Sequence, residues 1–167
     1  MKFIFSILTT FGIIFAFPGT VFVQQQAADR VVIEKADRKL TLYRKNHILW
    51  TYKIALGGDP VGKKQCEGDN RTPEGLYTIS GRNPNSRYHR SLRISYPNPK
   101  DIRQAKRLRC NPGGDITIHG RPNGYPEIVQ NLLNMQDLTL GCVAVTDPEI
   151  EEIWELVPNG TPVEIKP

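Results

Sequence analysis

The stretch TLGCVAVTDPEIEEIWELV, from Thr139 to Val157, joins a short strand to a helix and carries a cysteine near its start. The β-branched residues that follow this cysteine favour a strand. A helix cap at Thr146 or Asp147 comes next, with a proline in the first turn. Apolar residues then recur at i, i+3, i+4 and i+7, so the pattern predicts a helix from about Asp147 to Val157.

Outward from this stretch, short strands alternate with loops rich in glycine and proline. Period-two patterns predict strands in RVVIEKA, KLTLYR, ILWTYKIALGG, LYTIS, SLRIS, GGDITIHG and TPVEI. A further short helix is expected within RPNGYPEIVQNLLNMQD. The predicted fold class is therefore mainly β with one or two short helices, in a single domain. The tryptophans Trp50 and Trp154 are expected in its core, and His47 in a solvated hairpin turn.

The N-terminus has the pattern of an export segment. Lys2 is the only charge before Asp29, and a nearly continuous apolar run lies between them. Residues 1–25 are expected to form a signal peptide or an N-terminal membrane anchor, and residues 29–167 a single folded domain. Both alternatives place the domain in the periplasm or cell envelope, either soluble or anchored to the inner membrane.

The net charge of +5 is modest, but the segment KDIRQAKRLR is strongly basic. It is expected to form a short helix, with Ile102, Ala105 and Leu108 as a narrow apolar stripe. The cations would either contact an anionic surface or form a solvated helix face. Nucleic acid is disfavoured as a partner because the chain is expected to be exported and aromatic residues do not interleave with the basic ones.

Three cysteines are present, so at least one is left over after pairing. Cys66 and Cys110 are proposed as a disulfide, the alternative being two unpaired surface thiols. The spacings of cysteine and histidine do not match a zinc site, so neither a metal nor another cofactor is expected. Cys142 is either a small buried residue or a nucleophile.

His119 supports the second alternative for Cys142. It lies at the end of another predicted strand, and a neighbouring imidazole can take the proton of a thiol. A backbone carbonyl near the histidine would fix its tautomer. The backbone amides of Gly141 and Cys142 would then form an oxyanion hole.

These motifs resemble the L,D-transpeptidase (YkuD) domain family. ITIHG and TLGCVAV are similar to its His-Gly and [Ser/Thr]-x-Gly-Cys signatures, RTPEGLYTI to its TPxGxF strand, and NGTPVEI to its closing GTxVxI strand. The resemblance implies a YkuD-like β-sandwich. It also implies Cys142 as nucleophile, His119 as general base and acid, and the Gly120 carbonyl as the group that orients the imidazole.

The resemblance further implies acyl transfer through a thioester at an L-to-D diaminopimelate junction of a peptidoglycan stem peptide. Alternatives are a hydrolase of the same bonds, including one that releases a wall-attached lipoprotein, and a non-catalytic wall-binding module. The family pattern SHGCIRM has a histidine and an arginine where this chain has Leu140 and Ala144. Substrate handling is therefore expected to differ.

Four further residues are candidates for substrate binding. His89, Arg93 and Tyr96 fall in RYHRSLRISYPN, where they either line a donor pocket or decorate a surface loop. Arg121 follows the His-Gly pair and is suited to bidentate contact with a carboxylate.

Overall fold

The structure is a computed structural model, and it describes residues 27–126, 128–129 and 136–167. The predicted signal peptide or anchor, residues 1–25, lies outside the described residues. So does most of the helix expected between residues 121 and 137. Within the described ranges, every helix is too short or too polar to traverse a bilayer.

The described residues form eight strands and two helices. In chain order they are β1 (Arg30–Glu34), β2 (Lys39–Arg44), β3 (His47–Lys53), β4 (Gly75–Ser86), β5 (His89–Ile94), α1 (Pro99–Leu108), β6 (Thr117–His119), β7 (Val143–Ala144), α2 (Asp147–Leu156) and β8 (Pro162–Lys166). The prediction of a mainly β fold with one or two short helices is confirmed for this part of the chain.

The strands form one sheet in the order β3-β2-β1-β8-β4-β5-β6-β7. Strand β4 has 12 residues; its first part pairs with β8 and its later part with β5. Beyond the end of β3, Ala55 exchanges two backbone hydrogen bonds with Ala144 of β7, at 2.9 and 2.8 Å. The two ends of the sheet therefore meet, and its apolar side chains enclose one core.

Strand β4 is longer than the sequence predicted. It continues past LYTIS through GRNPNS, a stretch that its glycine and proline had marked as loop. Register shifts between Ile79 and Gly81 and between Asn83 and Ser86 accommodate these residues. Bulges of this kind bend a strand and tolerate proline, which explains the difference.

The predicted helix after the cysteine is confirmed as α2, with Thr146 as its N-cap. Glu149 completes a capping box with Thr146, and Pro148 lies in the first turn. Ile150 and Ile153 are fully buried, and Trp154 packs against the core as expected.

The expected place of Trp50 in the core is wrong. Trp50 is 46% exposed, because β3 is the terminal strand of the sheet order and buries only Tyr52. The basic segment forms the expected helix, α1, and Ile102 and Leu108 of its apolar stripe are exposed. The buried face of α1 consists instead of Asp101 and Ala105, and Asp101 accepts a hydrogen bond from Tyr77 at 3.0 Å. His47 is exposed, as expected, and is the first residue of β3.

Candidate active site

The parallel pairing of β6 with β7 brings the two signature motifs together. His119 pairs with Ala144 in this register, so Cys142 falls beside Thr117, whose hydroxyl is 3.6 Å from the thiol sulfur. Side chains at alternate positions of a strand share a face. Cys142 and His119 therefore project from the same face of the sheet and line one cleft.

His119 is held in a single tautomer. Its Nδ1 lies 2.7 Å from the carbonyl oxygen of Gly120. A carbonyl only accepts hydrogen bonds, so Nδ1 carries the ring hydrogen and Nε2 keeps the lone pair. The ring of Tyr88 lies against the imidazole, with 4.5 Å between ring centroids. In the neutral imidazole, the basic nitrogen is therefore Nε2.

Burial lowers the pKa of His119 below its ordinary value of 6.5, although the hydrogen bond to the Gly120 carbonyl acts in the opposite direction. The residue is only 5% exposed, so the charged imidazolium is poorly solvated. The imidazole is accordingly neutral at pH 7 and able to accept a proton.

Gly120 has no room for a side chain. A Cβ at this position would lie 2.6 Å from a carboxylate oxygen of Asp147 and 2.9 Å from Ile150, both in α2. The amide of Gly120 also donates to the carbonyls of Tyr88 and Arg90, at 3.1 and 3.2 Å. The glycine after the histidine thus lets helix α2 pack directly behind the imidazole.

A side-chain clamp shapes the turn before Cys142. The hydroxyl of Thr139 donates to the carbonyl of Cys142 at 2.8 Å and accepts from the amide of Gly141 at 3.1 Å. Gly141 has φ of +122°, and a Cβ there would lie 2.5 Å from the carbonyl oxygen of Arg71. Only glycine satisfies both the dihedral angle and this close approach.

This clamp affects the predicted oxyanion hole. Because the Gly141 amide donates to Thr139, it is already paired within the chain. Of the two amides predicted from the sequence, that of Cys142 is the one left for a substrate oxyanion.

Cys142 is half-buried and is the free cysteine among the described residues. Its thiol accepts from the Thr117 hydroxyl and donates to the backbone carbonyl of Asp115, both at 3.6 Å. Within the described part of the chain, no hydrogen bond joins the sulfur directly to His119. Proton transfer between them requires a rotation of the Cys142 side chain or a bridging water.

The cleft around Cys142 has a volume of about 630 Å³. Its rim includes the exposed apolar side chains of Leu138 and Leu140, and its floor includes Ala144. Among the described lining residues, Arg87 is the lone arginine or lysine, and no ion pair joins it to another described residue. The cleft is thus largely apolar, with one cation available for an anionic group.

The predicted substrate-binding residues lie in different places. Arg93 is outside the cleft but borders its rim, where it forms a 2.8 Å ion pair with Asp115. The imidazole of His89 is 2.6 Å from Glu151 of α2 rather than in the cleft. Tyr96 is buried in the core, because its ring packs edge-on against Tyr77 and its hydroxyl donates to the carbonyl of Pro112 at 2.8 Å.

The backbone of Arg121 is bound to helix α2, next to His119 and Gly120. Its amide donates to the Asp147 carboxylate at 2.7 Å, while its side-chain Nε is buried with no hydrogen-bond partner among the described residues. Its side chain is not among those that line the cleft.

The other cysteines lie away from the cleft. Cys66 and Cys110 form a disulfide with a sulfur–sulfur distance of 1.99 Å. In the described part of the chain, no group of three or more histidine, cysteine, aspartate or glutamate residues is placed to hold a metal ion.

Several residues of the site were not identified from the sequence. Tyr88, Arg87 and Asp115 reach the cleft from loops, where no periodic pattern marks them. The role of Thr139 could have been inferred from the sequence. In a Thr-x-Gly-Cys segment, the threonine hydroxyl can form hydrogen bonds with the backbone of the turn that follows it.

Comparison with known proteins identifies the family of the chain. Residues 28–165 match the YkuD family, described as the L,D-transpeptidase catalytic domain. The chain is 31% identical over 133 residues to the Escherichia coli (strain K12) protein named "Putative L,D-transpeptidase YafK", which covers 76% of this chain and 46% of that protein. The chain thus spans about half the length of the curated relatives it matches.

Two solved structures show the same fold. The helical cell shape determining protein Pgp2 from Campylobacter jejuni superposes with a TM-score of 0.64 and 26% identity, over 84% of this chain and 48% of that chain. An L,D-transpeptidase from Xylanimonas cellulosilytica superposes with a TM-score of 0.53 and 14% identity, over 86% of this chain and 62% of that chain. The match over residues 28–165 establishes that the chain belongs to the YkuD family of L,D-transpeptidase catalytic domains.

Proposed function

We propose that the chain catalyses cysteine-dependent acyl transfer on peptidoglycan stem peptides, at an L-to-D diaminopimelate junction. The observation that carries this proposal is the placement of the Cys142 thiol and a neutral, tautomer-fixed imidazole on one face of one cleft. The proposed place of action is the periplasm or cell envelope, and the process is cell wall crosslinking or remodelling. Because Pgp2 is described as a helical cell shape determining protein, cell shape is the phenotype that we propose to examine.

In the first step, Nε2 of His119 takes the thiol proton and the sulfur of Cys142 attacks the substrate carbonyl. The Cys142 amide stabilises the oxyanion. His119 then returns the proton to the leaving amine as the carbon–nitrogen bond breaks, which leaves a thioester on Cys142. The Gly120 carbonyl stabilises the transient imidazolium by accepting from Nδ1 throughout.

In the second step, the thioester is attacked either by an amine or by water. His119 removes a proton from the attacking group and delivers it to the departing thiolate. An amine produces a crosslink or an attachment to a wall-bound protein, whereas water produces hydrolysis. Leu138 and Leu140 at the rim are exposed apolar side chains, so an acceptor that packs against them would displace water from the thioester and favour transfer to an amine.

The test is mass spectrometry of muropeptides after incubation of intact sacculi with the protein. We expect new diaminopimelate-to-diaminopimelate crosslinks or exchanged terminal residues, all absent with Cys142→Ala. Shortened stems or released lipoprotein without new bonds would identify a hydrolase. Unchanged sacculi, together with binding to them, would identify a wall-binding module.

Arg87 is proposed to bind a substrate carboxylate, in place of the arginine that the family motif has at the position of Ala144. A guanidinium in a largely apolar cleft forms strong charge-assisted hydrogen bonds with carboxylates, and no described residue forms an ion pair with that of Arg87. We expect Arg87→Gln to raise KM about tenfold or more with a smaller change in kcat, measured on a soluble stem peptide.

The control for Arg87→Gln is Lys53→Gln. Lys53 is exposed at the end of β3 and is not among the residues that line the cleft, and its replacement removes the same charge. Equal increases in KM for the two variants would show that net charge, rather than a contact of Arg87, is responsible.

A further inference from the structure

Helix α1 carries a cationic face that is separate from its buried face. Lys100, Arg103 and Arg107 follow i, i+3, i+7 spacing, so they lie on one side of the helix. None of the three forms an ion pair with another described residue. The helix buries Asp101 and Ala105 on another side, so the cationic face is not covered by packing against the core.

This cationic face forms one wall of a groove. The opposite wall is the segment that leads to the disulfide, from which Lys63 and Gln65 contribute, and the groove has a volume of about 420 Å³. The described lining residues are Lys63, Gln65, Lys100, Arg103, Gln104 and Arg107, and none of them is acidic. Every one carries hydrogen-bond donors, and four are cations.

The groove is held rigidly at both walls. The ammonium of Lys63 lies 2.7 Å from the carboxylate of buried Asp101, which fixes this side chain at the edge of the groove. Asn98 caps the start of α1, and the Cys66–Cys110 disulfide joins the end of α1 to the opposite wall. The backbones of the two walls are therefore fixed before a ligand binds, so binding has to order side chains but not backbone.

We propose that this groove binds a phosphate-bearing anion. Two arginines one helical turn apart match the geometry of phosphate oxygens, which accept bidentate guanidinium contacts. The side-chain amides of Gln65 and Gln104 would donate further hydrogen bonds to phosphate oxygens that contact no arginine or lysine. The phosphate would belong either to a soluble diphosphate group or to the headgroup of an anionic phospholipid.

The experiment measures binding of inorganic pyrophosphate by calorimetry at low ionic strength, and cosedimentation with phosphatidylglycerol vesicles against phosphatidylcholine vesicles. The groove variant is Arg103→Gln with Arg107→Gln. The matched control is Lys106→Gln with Lys53→Gln, which removes the same charge from residues that do not line the groove.

We expect the groove variant to weaken binding at least about tenfold while the control stays within about twofold of the wild type. Loss of pyrophosphate binding would identify a soluble phosphate group, and loss of vesicle binding alone would identify the lipid headgroup. Equal weakening in both variants, or a wild-type protein that binds neither probe, would overturn the proposal. Binding does not require catalysis, so this test is independent of the proposed acyl transfer.

Discussion

Cys142→Ser is expected to abolish turnover while the protein stays folded. A serine hydroxyl is far less acidic than a thiol, so His119 cannot generate an equivalent nucleophile from it, and no thioester can form. We expect kcat/KM to fall at least about a thousandfold. The thiol is half-buried and its two hydrogen bonds to described residues are both long, at 3.6 Å, so the free energy of unfolding should change by less than about 1 kcal/mol.

The measurement is the intact mass of the protein after brief exposure to a stem peptide, together with thermal unfolding. Wild-type protein should show the mass of an acyl adduct, and Cys142→Ser should show none. Thr117→Val is the control, because it removes the hydroxyl beside the sulfur but keeps the thiol. A Cys142→Ser variant that retains the rate of the wild type would contradict the assignment of Cys142 as nucleophile.

The arrangement of the two signature motifs was largely predictable from the sequence. The alternation in GGDITIHG places Ile116 and Ile118 on one face of a strand and Thr117 and His119 on the other. In the structure both isoleucines are buried, and Thr117 and His119 line the cleft. Local patterns of this kind depend on one strand and its period, so they need no knowledge of distant residues. The cap and apolar spacing of α2 were predictable for the same reason.

Features that depend on distant residues were not predictable. The close approach of Gly141 to the Arg71 carbonyl joins segments 70 positions apart. Similarly, Asp137 accepts hydrogen bonds from Arg38 at 2.8 and 2.6 Å and from the Leu56 amide at 2.8 Å, which fixes the start of the Cys142 loop. No local pattern indicates such partners, because tertiary packing selects them.

The residues that α1 buries were not predictable from the sequence for a different reason. Hydrophobic periodicity favours Ile102 and Leu108 as the packed residues, yet the structure buries the carboxylate of Asp101 instead. That burial is stabilised by Tyr77 and Lys63, whose polar atoms lie 3.0 and 2.7 Å from the carboxylate oxygens. Hydrophobic periodicity considers only apolar residues, so it does not identify the buried face of a helix that packs through a paired polar side chain.

His119→Gln is expected to lower the alkylation rate of Cys142 at neutral pH by about a hundredfold or more, and turnover by at least as much. In the wild type, the rate should fall only as His119 gains a proton. Burial lowers the pKa of His119 below 6.5, so this acid limb should lie below pH 6.5. In His119→Gln, this limb should disappear, because no imidazole remains at this position to accept the thiol proton.

The same lowered pKa affects stability. In the unfolded chain, His119 gains a proton near pH 6.5, whereas in the folded chain it gains one only at lower pH. Between these two pKa values, unfolding is therefore accompanied by the uptake of a proton. The stability contributed by neutral His119 is present above pH 6.5 and is lost as the pH falls from 6.5 through the folded-state pKa. Thermal unfolding of the wild type should show this loss, and His119→Gln should lack it.

His47→Gln is the matched control for both measurements, because this histidine is exposed at the start of β3. It should leave the alkylation profile and the pH dependence of unfolding as in the wild type. An acid limb that persists in His119→Gln would mean that another group accepts the thiol proton. In that case the fixed tautomer at the Gly120 carbonyl would serve packing rather than proton transfer.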